Sequence, residues 1–137
     1  MKLAEVGAGW RVLGPFFHSA LRVVAAFVFI LAGLSKLFAW PQAMLPSGEA
    51  AHFPTQPWFA GVIETVGGAF VLIGLCARPI AFVMAGEMAV AYFHVHARRG
   101  LWPTANGGMA AVLFCFIWLF ISAAGPGPIS IDTLRRK

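Results

Sequence analysis

Charge is what this sequence has least of. Only 11% of its 137 residues are charged, and five of those are acidic: Glu5, Glu49, Glu64, Glu87 and Asp132. Cysteine is equally sparse. The two present, Cys76 and Cys115, are far apart in sequence and fall at different expected depths, so neither a disulfide framework nor a dithiol relay can be built from them. Both are expected as small core hydrophobes. The chain also lacks a Gly-rich phosphate loop, a dinucleotide fingerprint and a Ser-centred triad motif, so any electron it handles must come from a partner or a diffusible carrier. The ten Lys and Arg residues are scattered near helix ends and form no stripe, which argues against a nucleic-acid partner.

What is present in abundance is apolar surface. Hydrophobic residues make up 60% of the chain and the mean hydropathy is +0.81, well above the soluble range. Crossing about 30 Å of hydrocarbon takes roughly 20 mostly apolar residues. Four such runs occur, approximately 19–40, 58–76, 79–97 and 106–124. Between and after them lie turn residues: Pro41, Pro46 and Gly48; Arg78-Pro79; Gly100 and Pro103; and Gly125-Pro126-Gly127-Pro128. The expected fold class is all-α, an integral membrane four-helix bundle forming a single domain over 1–137, with the lipid bilayer as its principal partner. About 18 residues, including Lys2, Glu5 and Arg11, precede the first run without a clear cleavage site after it, so that run is expected to be retained.

Four spans put both termini and the second connection on one side. That side holds Lys2, Arg11, Arg22, Arg78, Arg135, Arg136 and Lys137, against Lys36, Arg98 and Arg99 on the other. The positive-inside rule then places both termini in the cytoplasm, with Trp40, Trp58 and Trp102 at the outer interface.

Against this background a few polar residues stand out: Lys36 in the first run, Glu64 in the second, Glu87, His94 and His96 in the third, and Asn106 opening the fourth. At 1.5 Å per residue Lys36 lies ~6 Å from Trp40, Glu64 ~9 Å from Trp58 and His94 ~3–5 Å from the outer end of its helix, so they gather in the outer third. Glu87 lies deeper, near the midplane. A charge there costs at least ~2.5–3.5 kcal/mol, so Glu87 should face the interior and be neutral, while Lys36 can clasp Glu64 between the first two helices. On a regular helix Glu87 and His94 share a face within ~20°, whereas His94 and His96 point to nearly opposite sides.

One reading of this cluster is interhelical glue, worth ~0.6–2 kcal/mol per contact. The number of ionisable groups converging on one side favours a site instead. A carboxylic acid, an imidazole and an ammonium amid aromatic side chains (Tyr92, Phe93, Trp58, Trp102) suit a flat amphipathic ligand whose oxygens exchange protons, and a quinone fits that description. A metal fits less well, because the Glu-x-x-His pairs of di-iron bundles are missing and His-x-His on a helix chelates poorly. Glu87 and His94 are therefore the candidate catalytic pair, with Lys36, Glu64, His96, Asn106 and Trp102 as candidate cofactor-binding residues and no metal ligands. Ser130 and Asp132 of the tail are expected to pair with Arg22 or Arg78, while His18 and His52 are expected to be solvated.

The stretches RVVAAFVFILAGLSKLFAWP, GVIETVGGAFVLIGLCARP, GEMAVAYFHVHARRGLWPTANGG and AAGPGPISID, in this order and spacing, resemble the DoxX family of small four-helix bacterial and archaeal membrane proteins. The family is named for a subunit of a quinone-linked thiosulfate oxidoreductase. The resemblance implies a bacterial or archaeal cytoplasmic membrane location and a component of a quinone-linked oxidoreductase system. It singles out Lys36, Glu64, Arg78, Glu87, His94, His96, Asn106 and Asp132 among others. The alternative is a non-catalytic membrane subunit or scaffold that docks a redox or stress-response protein partner. Self-association into a homo-oligomer is compatible with either.

Overall fold

Leu3–Phe38 form one helix, α1, although Pro15 lies inside it. The computed structural model describes residues 3–136, and every regular element among them is helical. The start at Leu3, well before the expected Ser19, has a simple cause. Hydropathy marks where a helix enters lipid, not where helical hydrogen bonding begins, and a single proline removes only one backbone bond. The early turns stand clear of the bundle, with Trp10, Val12 and Phe16 each more than half exposed.

The second helix, α2, runs Gln56–Ile73 and opens with Pro57 in its first turn, where a missing N–H costs nothing. It ends at Gly74, whose φ of +71° only glycine adopts without strain. Next comes α3, Ala77–Arg99, stopped by Gly100. A single turn at Pro103–Asn106 and a break at Gly107 (φ +75°) precede α4, Met109–Ala124, which therefore begins three residues later than expected. At sixteen residues α4 is about 24 Å long. Among the described residues three helices are thus long and apolar enough to cross a membrane, and α4 is a shorter apolar companion completing a four-helix membrane bundle.

Small residues decide the packing. Along α1 and α2 a Cβ on Gly33 would come within 2.8 Å of the Gly61 carbonyl oxygen, so these backbones meet at glycine. On α3, Ala81, Met84, Ala85 and Met88 are buried against Ala111, Trp118 and Ile121 of α4. Phe29 of α1 joins the two halves, lying edge-on to Trp118 at 5.1 Å and against Phe114 at 5.3 Å. Phe27, Phe82 and Phe116 are exposed and face outward, the lipid-facing coat of such a bundle.

At the end where α2 turns into α3, the bundle is tied by side chains bonded to backbone. Arg22 is 1% exposed and donates Nε to the Pro126 carbonyl (2.7 Å), Nη1 to those of Val71 (2.6 Å) and Leu72 (2.5 Å), and Nη2 to that of Ile129 (2.5 Å). The same principle recurs at α4, whose last carbonyls, on Ser122, Ala123 and Ala124, accept from Arg78. Asp132 accepts from the Cys76 and Ala77 amides at 2.9 and 3.0 Å and so caps α3. This corrects the expected pairing of Asp132 and Ser130 with an arginine. Both arginines are engaged by carbonyl oxygens, and Ser130 instead caps the final turn, Ile131–Leu134, through the Thr133 amide. Two further expectations change at this end. His18 Nε2 is 2.8 Å from the Gly125 carbonyl oxygen, with its ring against Phe120, so it is not simply solvated. Cys76 is exposed in a left-handed turn (φ +50°) and is no core residue.

Candidate functional site

The other end of the bundle opens instead of closing. Ala39 to Thr55 form an irregular loop, anchored where the Ala51 amide donates to the Lys36 carbonyl at 2.7 Å. Beneath it lies a cavity of about 780 Å³, mostly apolar, to which all four helices and the loop contribute. Its aromatic surfaces come from Phe29, Phe59 and Phe114, and its polar groups are Lys36, Glu64, Glu87, His96, Arg99 and Gln56.

Two local departures from α-helical geometry place these groups. Ile63–Gly67 in α2 and Tyr92–His96 in α3 are π-helical turns, a geometry frequent at functional sites. The first carries Glu64, which is 1% exposed and receives the Lys36 ammonium on both oxygens, at 2.5 and 2.6 Å. The expected clasp between the first two helices is therefore present. The second π turn inserts backbone after Ala91 and turns the following side chains back by roughly 100° relative to a regular helix. Consequently His94 leaves the Glu87 face and is exposed outside the cavity, while His96 swings onto the cavity wall. The shared Glu87–His94 face inferred from regular periodicity is thus corrected to a shared Glu87–His96 wall.

His96 is held by Nδ1, 3.2 Å from the Asn106 carbonyl oxygen. A carbonyl can only accept, so this bond places a proton on Nδ1 and leaves Nε2 as an acceptor when the ring is neutral. Asn106 is buried and spends its own side chain on the α3–α4 connection, donating Nδ2 to the Gly100 carbonyl (2.7 Å) and accepting the Gly108 amide on Oδ1 (2.7 Å). It positions His96 through its backbone and does not line the cavity. Trp102, 72% exposed, lies outside it too, as does Phe93. Glu87 lies in the wall with Oε2 buried and without a hydrogen-bond partner, which is uncommon for a buried carboxyl oxygen.

The cavity thus gathers Lys36, Glu64, Glu87 and His96 of the seven expected residues and leaves out His94, Asn106 and Trp102. It adds Arg99, which in sequence reads only as half of a basic pair ending a helix, and Phe29, Phe59 and Phe114, which cannot be told from lipid-facing phenylalanines.

Comparison with known proteins agrees with the residue pattern. The DoxX family model matches residues 17–97, more than half of the chain and most of the three longest helices. The chain belongs to the DoxX family. It is 39% identical over 121 residues to an uncharacterized protein of Haemophilus influenzae, covering 86% of this chain and 90% of that one. It is 28% identical over 138 residues to an uncharacterized membrane protein of Mycobacterium tuberculosis, covering 90% and 84% respectively. No solved structure matches. Within the matched DoxX region lie Lys36, Glu64, Glu87 and His96, whereas Arg99 and the α4 wall of the cavity lie beyond it.

Proposed function

We propose that this DoxX protein is the membrane component of a quinone-linked oxidoreductase system and that the cavity receives the quinone ring. In this reading it sits in the cytoplasmic membrane of its cell, with both termini on the cytoplasmic side and the cavity in the outer half. The observation that carries the proposal is the partnerless Glu87 Oε2 in the wall of a large, mainly apolar cavity.

The residues fit such a guest. A volume of about 780 Å³ falls in the usual range of small-molecule sites, and apolar walls with a few placed polar groups are the usual composition. A bound quinone would supply two-electron, two-proton redox chemistry. Phe29, Phe59 and Phe114 offer flat surfaces for a ring, while Lys36 and Arg99 offer donors to its oxygens, and His96 does so only when Nε2 is protonated as well. Lys36 is fixed by Glu64, so its position is set before a ligand arrives. Glu87 and His96 are the groups able to hold or release a proton at the wall: Glu87 through Oε2, His96 through Nε2. Electrons would come from a protein partner or a diffusible carrier.

Organic extraction and mass spectrometry of the detergent-purified protein test this. Quinone near one per chain in the native protein and in His94→Ala, with none in Glu87→Gln/His96→Ala at unchanged melting temperature, is the expected result. Absence of quinone from all three would overturn the proposal in favour of a non-catalytic membrane subunit.

A further inference from the structure

A second cavity, of about 340 Å³, lies at the opposite end of the bundle, where α2 turns into α3 and the tail returns. Its charged lining is Arg78, Arg135, Arg136 and Asp132, with Cys76 on the wall. The Asp132 carboxylate is already engaged by the amides of Cys76 and Ala77. It also closes the start of α3, so the attraction of this cleft for an anion comes from the arginines. Arg78 is committed in part to the carbonyls ending α4. Arg135 and Arg136 are exposed, and beyond the backbone bonds of their amides to Ile131 and Thr133 their guanidinium groups have no hydrogen-bond or ion-pair partner among the described residues. Three arginines and one carboxylate thus line the cleft.

The surroundings narrow the ligand. Ile129 (61% exposed) and Leu134 (67% exposed) flank the arginines on the same short tail, and Ile73 and Phe120 are exposed at the neighbouring helix ends. Apolar side chains open to hydrocarbon beside guanidinium groups at the end of a membrane bundle match the layering of an acyl chain beneath its phosphate. Guanidinium is also the side chain whose planar fork best fits phosphate oxygens.

We propose that this cleft binds a phosphate ester, supplied by the headgroup of an anionic phospholipid. The site is independent of the quinone reading, since it shares no residue with the larger cavity.

Cys76 provides the readout, because it is exposed on the cleft wall while Cys115 lies within α4. The full chain is placed in phosphatidylcholine vesicles, in the same vesicles containing phosphatidylglycerol, and in phosphatidylcholine with added inorganic phosphate. Alkylation of Cys76 by a neutral maleimide is followed by peptide mass spectrometry. The expected result is a slowing of about fivefold or more with phosphatidylglycerol alone, lost in Arg135→Gln/Arg136→Gln at unchanged melting temperature. Because the variant sees the same membrane surface potential, its loss of protection separates a site from a surface effect. Slowing by inorganic phosphate in phosphatidylcholine would keep the phosphate chemistry and reassign its source to a soluble ester. Equal rates in all three media, or protection undiminished in the variant, would overturn the proposal.

Discussion

Replacing Arg22 tests how the closed end of the bundle is held. The side chain is 1% exposed and ties α1 to two other segments: the end of α2 through Val71 and Leu72, and the tail through Pro126 and Ile129. Arg22→Met keeps the aliphatic stem and removes every donor, leaving four carbonyl oxygens without this partner. A buried acceptor stripped of its bond costs ~1–3 kcal/mol, but the costs are not additive, because part of the tail can turn toward water. A net loss of about 3–5 kcal/mol is expected, comparable with breaking a buried ionic contact and a large share of a typical 5–15 kcal/mol total. For a chain of this size that lowers the melting temperature by about 10–20 °C. Arg22→Lys is the sharper variant. It preserves charge, yet one ammonium cannot reproduce a planar fork that reaches Pro126 from Nε and Ile129 from Nη2, so it should recover less than half of the loss. Thermal unfolding in detergent, followed by circular dichroism, measures both. A lysine variant melting within a couple of degrees of the native protein would show that charge alone holds this end and would refute the reasoning.

Two further outcomes follow from named contacts. Lys36→Met strands the Glu64 carboxylate, which is 1% exposed, and should cost about 3–5 kcal/mol, whereas Lys36→Met/Glu64→Gln should return to within about 1–2 kcal/mol of native. Equal melting temperatures for the single and double variants would show that Glu64 does not depend on this ammonium. Asp132→Ala frees the Cys76 and Ala77 amides at the start of α3 and should lower stability by ~0.5–2 kcal/mol, with Asp132→Asn recovering part of it. An unchanged melting temperature in Asp132→Ala would remove the capping assignment.

The depth of polar residues was the most legible feature of the chain. Counting rises from Trp40 and Trp58 brought Lys36 and Glu64 to one level, and the ion pair at 2.5 Å lies there. What periodicity could not supply was the rotation of side chains past an irregular turn. The choice of His94 over His96 assumed 100° per residue through Tyr92–His96, and the π turn there reverses it. Similarly, Arg22 looked like a membrane-end charge because hydropathy treats arginine as a cost. Its role depends on carbonyls 49 to 107 residues away in sequence, which no local pattern reveals. Asn106 was legible as a buried polar residue but not as one whose side chain serves its own loop.

The two ends of the molecule are held in different ways. At the closed end the backbone groups left over where α2 and α4 stop and α3 starts are met by Arg22, Arg78 and Asp132, so that end is held by bonds that admit little rearrangement. At the open end the side chains are only partly satisfied: Glu87 Oε2 has no partner, and His96 is held by one ring nitrogen. The Tyr92–His96 π turn lies at that end and the Ile63–Gly67 turn at the middle of α2, and each sacrifices regular helical bonding to bring a polar side chain to the same cavity. Glu64 and His96, each carried on a π turn, and Glu87 share one space opposite an end tied by backbone caps, an arrangement suited to a ligand-binding cavity on a rigid base.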